Sequence, residues 1–105
     1  MGVDVLLLRV DRAGTSPKRR RLVQLAVLGD PDDVFAGLCA RSDLPMLGRV
    51  DPYGDLVLTT SEMPQFLAEL AAEHAREPQE LLTGIRQLAE RCAAEPGTEL
   101  HLVGD

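Results

Sequence analysis

Runs of apolar residues near the start and at the end of the chain predict strands. Residues 3–10 carry leucine at three successive positions, so bulky side chains point to both faces of the strand. This pattern favours an interior strand, covered on two sides, over an edge strand. Residues 21–28 predict a second strand, and the polar segment 11–20 between the two, which contains glycine and proline, predicts the loop of an open hairpin. Residues 99–103 predict the last strand.

A turn signal stands between two further apolar runs in the middle of the chain. Asp51, Pro52 and Gly54 occupy the first, second and fourth positions in the order that a type I turn prefers. The flanking residues 46–50 and 56–60 are predicted as short strands, the second of them because it is apolar and β-branched. The sequence therefore predicts a tight hairpin at this point.

Three segments have apolar residues at the spacing of one helix face. In the first, Asp30 is predicted as the N-cap and Pro31 as the first helical residue. The second segment follows the central hairpin, with Ser61 predicted as its N-cap. In the third, Gly84 is expected to mark close packing against a neighbouring element. The helices are predicted to end near Arg41, Arg76 and Ala94, and the third to begin at Pro78.

The order of these elements, ββαββααβ, predicts an α+β fold. Each helix has one apolar face, so we expect a two-layer sandwich in which three helices cover one face of a mostly antiparallel sheet of about five strands. The first and last strands are expected near the middle of the sheet, because both are rich in aliphatic residues. With 105 residues and no internal repeat or linker, the chain is expected to form a single globular domain over residues 1–105.

The charge and composition of the chain restrict the partners that it suits. The formal net charge is -6 and the isoelectric point is about 4.8. This balance argues against general nucleic-acid binding, which needs cations to displace the counterions of phosphates. It suits a soluble cytosolic protein, or one whose partner is basic. Aromatic residues make up only 3% of the chain, so the core is expected to be aliphatic.

Cysteine content and hydropathy favour a cytoplasmic protein. Cys39 and Cys92 are too few for a disulfide-stapled scaffold, and both lie among apolar residues, which predicts two buried thiols in a reducing compartment. Residues 3–10 are too short and too charged for a secretory signal, and no apolar run is long enough to span a bilayer. We therefore expect neither export nor membrane insertion.

The concentrated positive charge of the chain lies in residues 16–21. Lys18, Arg19 and Arg20, followed by Arg21, offer a contact to phosphate or to an acidic partner. No aromatic residue is interleaved there to stack, and no glycine to cradle phosphate, so a solvated hairpin loop is the alternative interpretation. The sequence leaves both interpretations open.

The central turn gathers a second set of candidate contact residues. Asp51 and Asp55 flank Tyr53, which is the single tyrosine of the chain. An amphipathic aromatic residue at a loop tip is typical of protein contacts. Two carboxylates can divide acid and base roles when burial separates their pKa values, but a hairpin tip is usually exposed. An interface is therefore preferred here over catalysis.

The sequence contains no recognisable motif for catalysis or for a bound metal or cofactor. Asp30, Asp32 and Asp33 lack the spacing of a calcium loop and are explained by helix capping. His74 and His101 are isolated, without the spacing of a Cys/His metal site. Neither a phosphate-binding glycine loop nor a nucleophile elbow occurs. We therefore predict no cofactor, no metal and no enzymatic activity; an enzyme using the central turn residues or His101 is the third hypothesis.

These observations favour a small acidic cytosolic protein-interaction module. Such a protein suits a stoichiometric inhibitor or an immunity-type protein that blocks a basic partner surface, for instance the substrate cleft of a nuclease. It is similar to bacterial toxin-neutralising proteins in size, charge and general build, which identifies no family. The alternative is a small-ligand-binding or accessory protein of a biosynthetic or regulatory pathway, with a pocket between the sheet and the helices.

Overall fold

The computed structural model describes residues 2–12 and 20–104, without the side chains of Arg12 and Arg20. Within these residues, four strands form one antiparallel sheet and three helices pack against it, which confirms the predicted α+β class. In chain order the elements are β1 (Val3–Arg12), β2 (Arg20–Leu28), α1 (Val34–Arg41), β3 (Asp55–Thr59), α2 (Met63–Arg76), α3 (Glu80–Ala94) and β4 (Thr98–Gly104). The strand order is β2-β1-β4-β3, so the first and last strands are central, as predicted.

One face of the sheet carries the hydrophobic core. Val3, Val5 and Leu7 alternate along β1 and are buried, as are Leu100 and Leu102 on β4. Because successive side chains of a strand point to opposite faces, these residues all lie on the side of the helices. The core is mainly aliphatic, as predicted, and the helices contribute Phe35, Leu38, Cys39, Phe66, Leu70, Leu82, Ile85, Leu88 and Cys92 to it.

The predicted strand over residues 46–50 is wrong, so the described residues form four strands instead of five. Leu47–Arg49 form a short 3-10 helix. The reason lies on α2, where the buried carboxylate of Glu69 accepts the backbone N–H groups of Met46 (3.0 Å) and Leu47 (2.9 Å). These donors are satisfied without a neighbouring strand. The order is therefore ββαβααβ, and β3 pairs with β4 in place of the predicted hairpin.

The first helix begins after a turn. Its first residue is Val34, whereas Pro31 was predicted. The N-cap position of α1 lies three residues beyond Asp30. The Asp30 carboxylate nevertheless accepts the backbone N–H groups of Phe35 (3.1 Å) and Ala36 (2.9 Å) in the first turn of α1. It also accepts the N–H of Val3 (3.2 Å). One buried side chain thus joins the start of β1 to the start of α1.

The second and third helices begin close to their predicted positions. Ser61 is not the N-cap of α2, because a 3-10 helix, Thr60–Glu62, leads directly into that helix. The side chains of Thr59 and Glu62 form a capping box at the start of this 3-10 helix. The third helix begins two residues later than predicted, and all three helices end where the sequence predicts.

The first two strands form the predicted antiparallel hairpin, but each is longer than predicted. β1 continues to Arg12 and β2 begins at Arg20, so both extend into the predicted loop. The pairing register shifts between Leu7 and Leu8, where Leu25 of β2 is left without a partner as a β-bulge. A bulge on this edge strand interrupts the row of backbone groups that a further strand needs for pairing.

Candidate functional site

The face of the sheet that points away from the helices is covered by no described helix, and we call it the open face. Its side chains are those that alternate with the buried core residues along each strand. Most of them are apolar. They are Asp4, Leu6, Leu8 and Val10 of β1, Leu22, Gln24 and Val27 of β2, Asp55, Val57 and Thr59 of β3, and Glu99, His101 and Val103 of β4.

The strand register places apolar residues of three strands in one row of the open face, with His101 of β4 between them. Leu6 of β1 pairs with Val27 of β2 and with His101 of β4, and His101 pairs in turn with Val57 of β3. Val27 is 50% exposed, Val57 is 43% exposed, and Leu22, further along β2, is 48% exposed. Large apolar side chains that are exposed on one shared surface are typical of an interaction site.

The formal charges among the described side chains of the open face are those of carboxylates. Asp4 and Asp55 lie on either side of Val103 at one end of the sheet, and neither forms an ion pair with a described residue. Nearer the centre, Glu99 Oε1 lies 3.0 Å from His101 Nε2. No lysine or arginine points to the open face from the strand residues whose side chains the structure describes. The surface therefore combines apolar residues with acidic groups.

Two of the predicted contact residues lie at one end of the open face. The backbone N–H of Gly104, at the end of β4, donates to the carbonyl of Gly54 (2.8 Å), so the central turn lies against the end of the sheet. Tyr53 on this turn is 70% exposed, and Asp55 begins β3 on the open face. Asp51 serves the turn, because its Oδ1 accepts the backbone N–H of Tyr53 (2.8 Å).

The predicted basic contact residues are described only in part. Lys18 and Arg19 lie outside the described residues. Arg20 is the first residue of β2, and only its backbone is described. Arg21, the next residue of the strand, is exposed. Contact of this segment with phosphate or with an acidic partner stays a prediction.

The groups considered for catalysis do not converge. Tyr53 projects from the turn, while His101 lies within the open face beside Glu99. Cys92 is buried in α3 on the other side of the sheet, so a Cys92–His101 nucleophile pair is excluded by the fold. At the end of α2, the Nδ1 of His74 accepts the backbone N–H of Gln79 (3.5 Å). This weak contact belongs to the connection between α2 and α3.

Both cysteines are free and buried, as predicted. Burial, together with the nearby carboxylates of Asp30 and Glu73, raises the pKa of the Cys39 thiol to about 12. Burial also raises the pKa of the Cys92 thiol, partly offset by a hydrogen bond with Thr98. Because the thiolate is the reactive form, neither cysteine is activated as a nucleophile near neutral pH.

The buried carboxylates on the helix side accept hydrogen bonds that connect separate parts of the fold. Asp30 and Glu69 accept backbone N–H groups, as described above. Glu73 Oε1 accepts a hydrogen bond from the hydroxyl of Ser42 (3.1 Å), and Arg76 Nη1 lies 3.6 Å from the same oxygen. Every buried side-chain nitrogen or oxygen of the described residues has a hydrogen-bond partner. These acids therefore serve backbone and loop positions and form no acid–base pair.

The open face was not predicted as a site, although its signal is present in the sequence. Leu6, Leu8 and Val10 recur at every second position of β1, opposite the core residues. Three successive leucines predict an interior strand covered on two sides; β1 is interior, and Leu8 on its open face is 7% exposed although the described helices pack only on the other face. Aliphatic residues suit a face buried within the fold and a face buried by a partner equally, so periodicity alone does not distinguish them.

Comparison with protein-family models, with curated proteins and with solved structures finds no match to this chain. None of the helices in the described part of the chain is long and apolar enough to cross a membrane. Among the described side chains, no three from histidine, cysteine, aspartate or glutamate gather closely enough to hold a metal ion. The feature that distinguishes the described surface is the apolar and acidic open face.

Proposed function

We propose that this protein is a protein-interaction module that binds its partner through the open face. The observation that carries the proposal is the half-exposed side chains of Leu22, Val27 and Val57 on a sheet face that no described helix covers. An apolar centre with a polar rim is the usual composition of a protein interface. A partner that buries these side chains gains roughly 25 cal/mol for each Å² of apolar surface removed from water.

The charge of the open face favours a basic partner. Asp4, Asp55 and Glu99 carry the formal charges of its described side chains, and the whole chain has a net charge of -6. A complementary surface has an apolar centre bounded by lysine or arginine side chains, and long-range attraction then accelerates association. This is the chemistry of a stoichiometric inhibitor or immunity-type protein that blocks a basic surface of its target.

The same charges disfavour a second copy of this chain as the partner. Two open faces placed against each other bring the carboxylates of Asp4 and Asp55 into an interface with no arginine or lysine among the described open-face side chains to compensate. Like charges across an interface cost several kcal/mol when they are desolvated. The protein alone is therefore expected to be a monomer in sedimentation experiments.

The proposed location of this module is the cytoplasm. Cys39 and Cys92 are both free and buried in the core. Cytosolic reductants keep such thiols reduced, whereas secreted proteins of this size usually carry disulfides. The proposed partner is correspondingly a cytosolic protein with a basic surface.

The double variant Val27→Lys/Val57→Lys tests the proposal. Both positions are exposed on edge strands, so the fold should tolerate lysine, but each lysine removes apolar contact and repels a basic partner. We expect the wild type to retain a basic protein from host lysate, and the variant to bind the recovered protein at least about tenfold more weakly. The measurement is a titration by surface plasmon resonance, at NaCl concentrations of about 0.05 and 0.5 M.

The matched control is Ala72→Lys/Ala93→Lys, which makes the same change in charge at exposed positions of α2 and α3. This control should bind the recovered protein almost as tightly as the wild type, and binding by both should weaken at the higher salt concentration. If both double variants lose the same affinity for the recovered protein, the change in net charge alone explains the loss. A wild-type dimer that the open-face variant dissociates would assign the open face to self-association and overturn the proposed partner.

A further inference from the structure

A concave surface lies on the helix side of the molecule, between α3 and the turn that precedes α1. It is a cleft of about 550 Å³. Pockets that hold small organic ligands have volumes of roughly 300–1,000 Å³, with apolar walls and a few polar groups. The end of β2 lies at its base and the first half of α3 forms one wall. This cleft is separated from the open face by the sheet.

The floor of the cleft is apolar. Leu28 at the end of β2, Val34 at the start of α1 and Leu81 in the first turn of α3 line it, and each is partly exposed. Gly84 allows α3 to approach the strand, since a Cβ at this position would lie 2.9 Å from Leu28 Cδ1. The predicted close packing at this glycine is confirmed. These side chains offer a surface for a short alkyl or aromatic group.

The rim of the cleft is acidic. Asp32 and Glu80 line it from opposite elements, both are exposed, and neither pairs with a cation of the described residues. Asp30 also lines the cleft, but both of its carboxylate oxygens are occupied by the backbone N–H groups of β1 and α1. No lysine or arginine is among the lining residues. The charge and the apolar floor together fit a cation that carries an apolar group.

We infer that this cleft binds a small amphipathic amine, with its apolar part on Leu28, Val34 and Leu81 and its ammonium group between Asp32 and Glu80. The ammonium group supplies the countercharge that both carboxylates lack, and the apolar part displaces water from the floor. A carboxylate or phosphate ligand is disfavoured, because it would meet two negative groups at the rim. This site goes beyond the proposed partner contact and does not depend on it.

The test uses n-hexylammonium as the probe, with n-hexanoate and n-hexanol as matched probes of the same chain length. In ¹H–¹⁵N NMR titrations, the ammonium probe should shift the amide signals around Leu28, Val34 and Leu81, with a Kd of the order of 1 mM for so small a ligand. Hexanol should bind more weakly, and hexanoate should cause no saturable shift. Equal shifts with hexanoate would overturn the assignment of the ligand class.

Two variants test the residues of the site. Asp32→Asn/Glu80→Gln removes both charges and should weaken hexylammonium binding at least about fivefold, whereas Asp55→Asn/Glu90→Gln removes two acids elsewhere and should leave binding unchanged. Gln87→Lys, on the wall of the cleft, places a tethered ammonium there and should compete with the probe. Unchanged binding in both cleft variants would contradict the inference.

Failure of amine binding at the cleft can be distinguished from failure of partner binding at the open face. Val27→Lys/Val57→Lys should keep the full affinity for hexylammonium, because the sheet lies between these positions and the cleft. Asp32→Asn/Glu80→Gln should keep the full affinity for the recovered partner protein. Loss of both activities in either variant would indicate one shared site and contradict the separation of the two surfaces.

Discussion

Replacement of Asp30 by alanine is expected to lower the free energy of unfolding by about 3–5 kcal/mol, a large part of the stability of a domain of this size. Asp30 is 3% exposed, and its carboxylate accepts the backbone N–H groups of Val3, Phe35 and Ala36 at 2.9–3.2 Å. Hydrogen bonds to a charged acceptor contribute roughly 1.5–3 kcal/mol each, and the three bonds are not additive. Alanine leaves three donors without their acceptor. The measurement is equilibrium unfolding in urea.

The matched control for this variant is Asp32→Ala. Asp32 is an exposed aspartate two residues away, without a described ion-pair partner, so its loss should change the free energy of unfolding by less than about 0.5 kcal/mol. Asp30→Asn keeps one acceptor oxygen and should be intermediate. If Asp30→Ala unfolds at the same urea concentration as Asp32→Ala, the connection between β1 and α1 through this carboxylate is not important for stability.

Replacement of Glu69 by alanine is expected to cost about 3 kcal/mol. Glu69 is 7% exposed, and its carboxylate accepts the N–H groups of Met46 and Leu47 (2.9–3.2 Å) and the side-chain amide of Gln65 (2.8 Å). Met46 and Leu47 are themselves buried, so water does not easily replace the lost acceptor. Glu69→Gln keeps one carbonyl oxygen and should lose about 1 kcal/mol. Urea unfolding of both variants measures the two effects.

The control for Glu69 is Glu90→Ala. Glu90 lies on the exposed face of α3, where its one described ion pair, with Arg86, is 3.4 Å long and solvated. Exposed pairs of this kind contribute roughly 0–1 kcal/mol. If Glu69→Ala lowers the free energy of unfolding no more than Glu90→Ala does, the 3-10 helix at Leu47–Arg49 does not need the buried carboxylate.

Local signals in the sequence predict most of the secondary structure. The turn at Asp51–Gly54 forms because aspartate, proline and glycine occupy the positions that this turn requires, and its closing bond from the N–H of Gly54 to the carbonyl of Asp51 is 3.2 Å long. The apolar faces of the three helices likewise follow from spacing alone. Such elements depend on residues that are close in the chain, so one sequence is enough to place them.

Elements that depend on distant residues were not predicted correctly. Residues 46–50 are apolar enough for a strand, but Glu69, 22 positions beyond Leu47, supplies the acceptors that make a helical turn possible. The start of α1 depends in the same way on Asp30 and Val3. Propensity describes the chain in isolation, whereas buried carboxylates select conformations through tertiary contacts.

The candidate sites also divide into residues that local sequence predicts and residues that only the tertiary structure brings together. Tyr53 and Asp55 were predicted as contact residues because a turn displays them, and the structure places them at the end of the open face. The apolar part of that face joins Leu6, Val27 and Val57 from three strands. Their proximity follows from strand order and register, which the sequence pattern does not determine.

Contact through the open face is tested most directly by methyl NMR of the complex. The protein, with ¹³C-labelled leucine and valine methyl groups, is titrated with the recovered basic partner. We expect the methyl signals of Leu6, Val27 and Val57 to shift on binding, while those of Leu44 and Leu67 on the helix side keep their positions. Shifts of Leu44 and Leu67 with unchanged signals from the open face would contradict the proposed function.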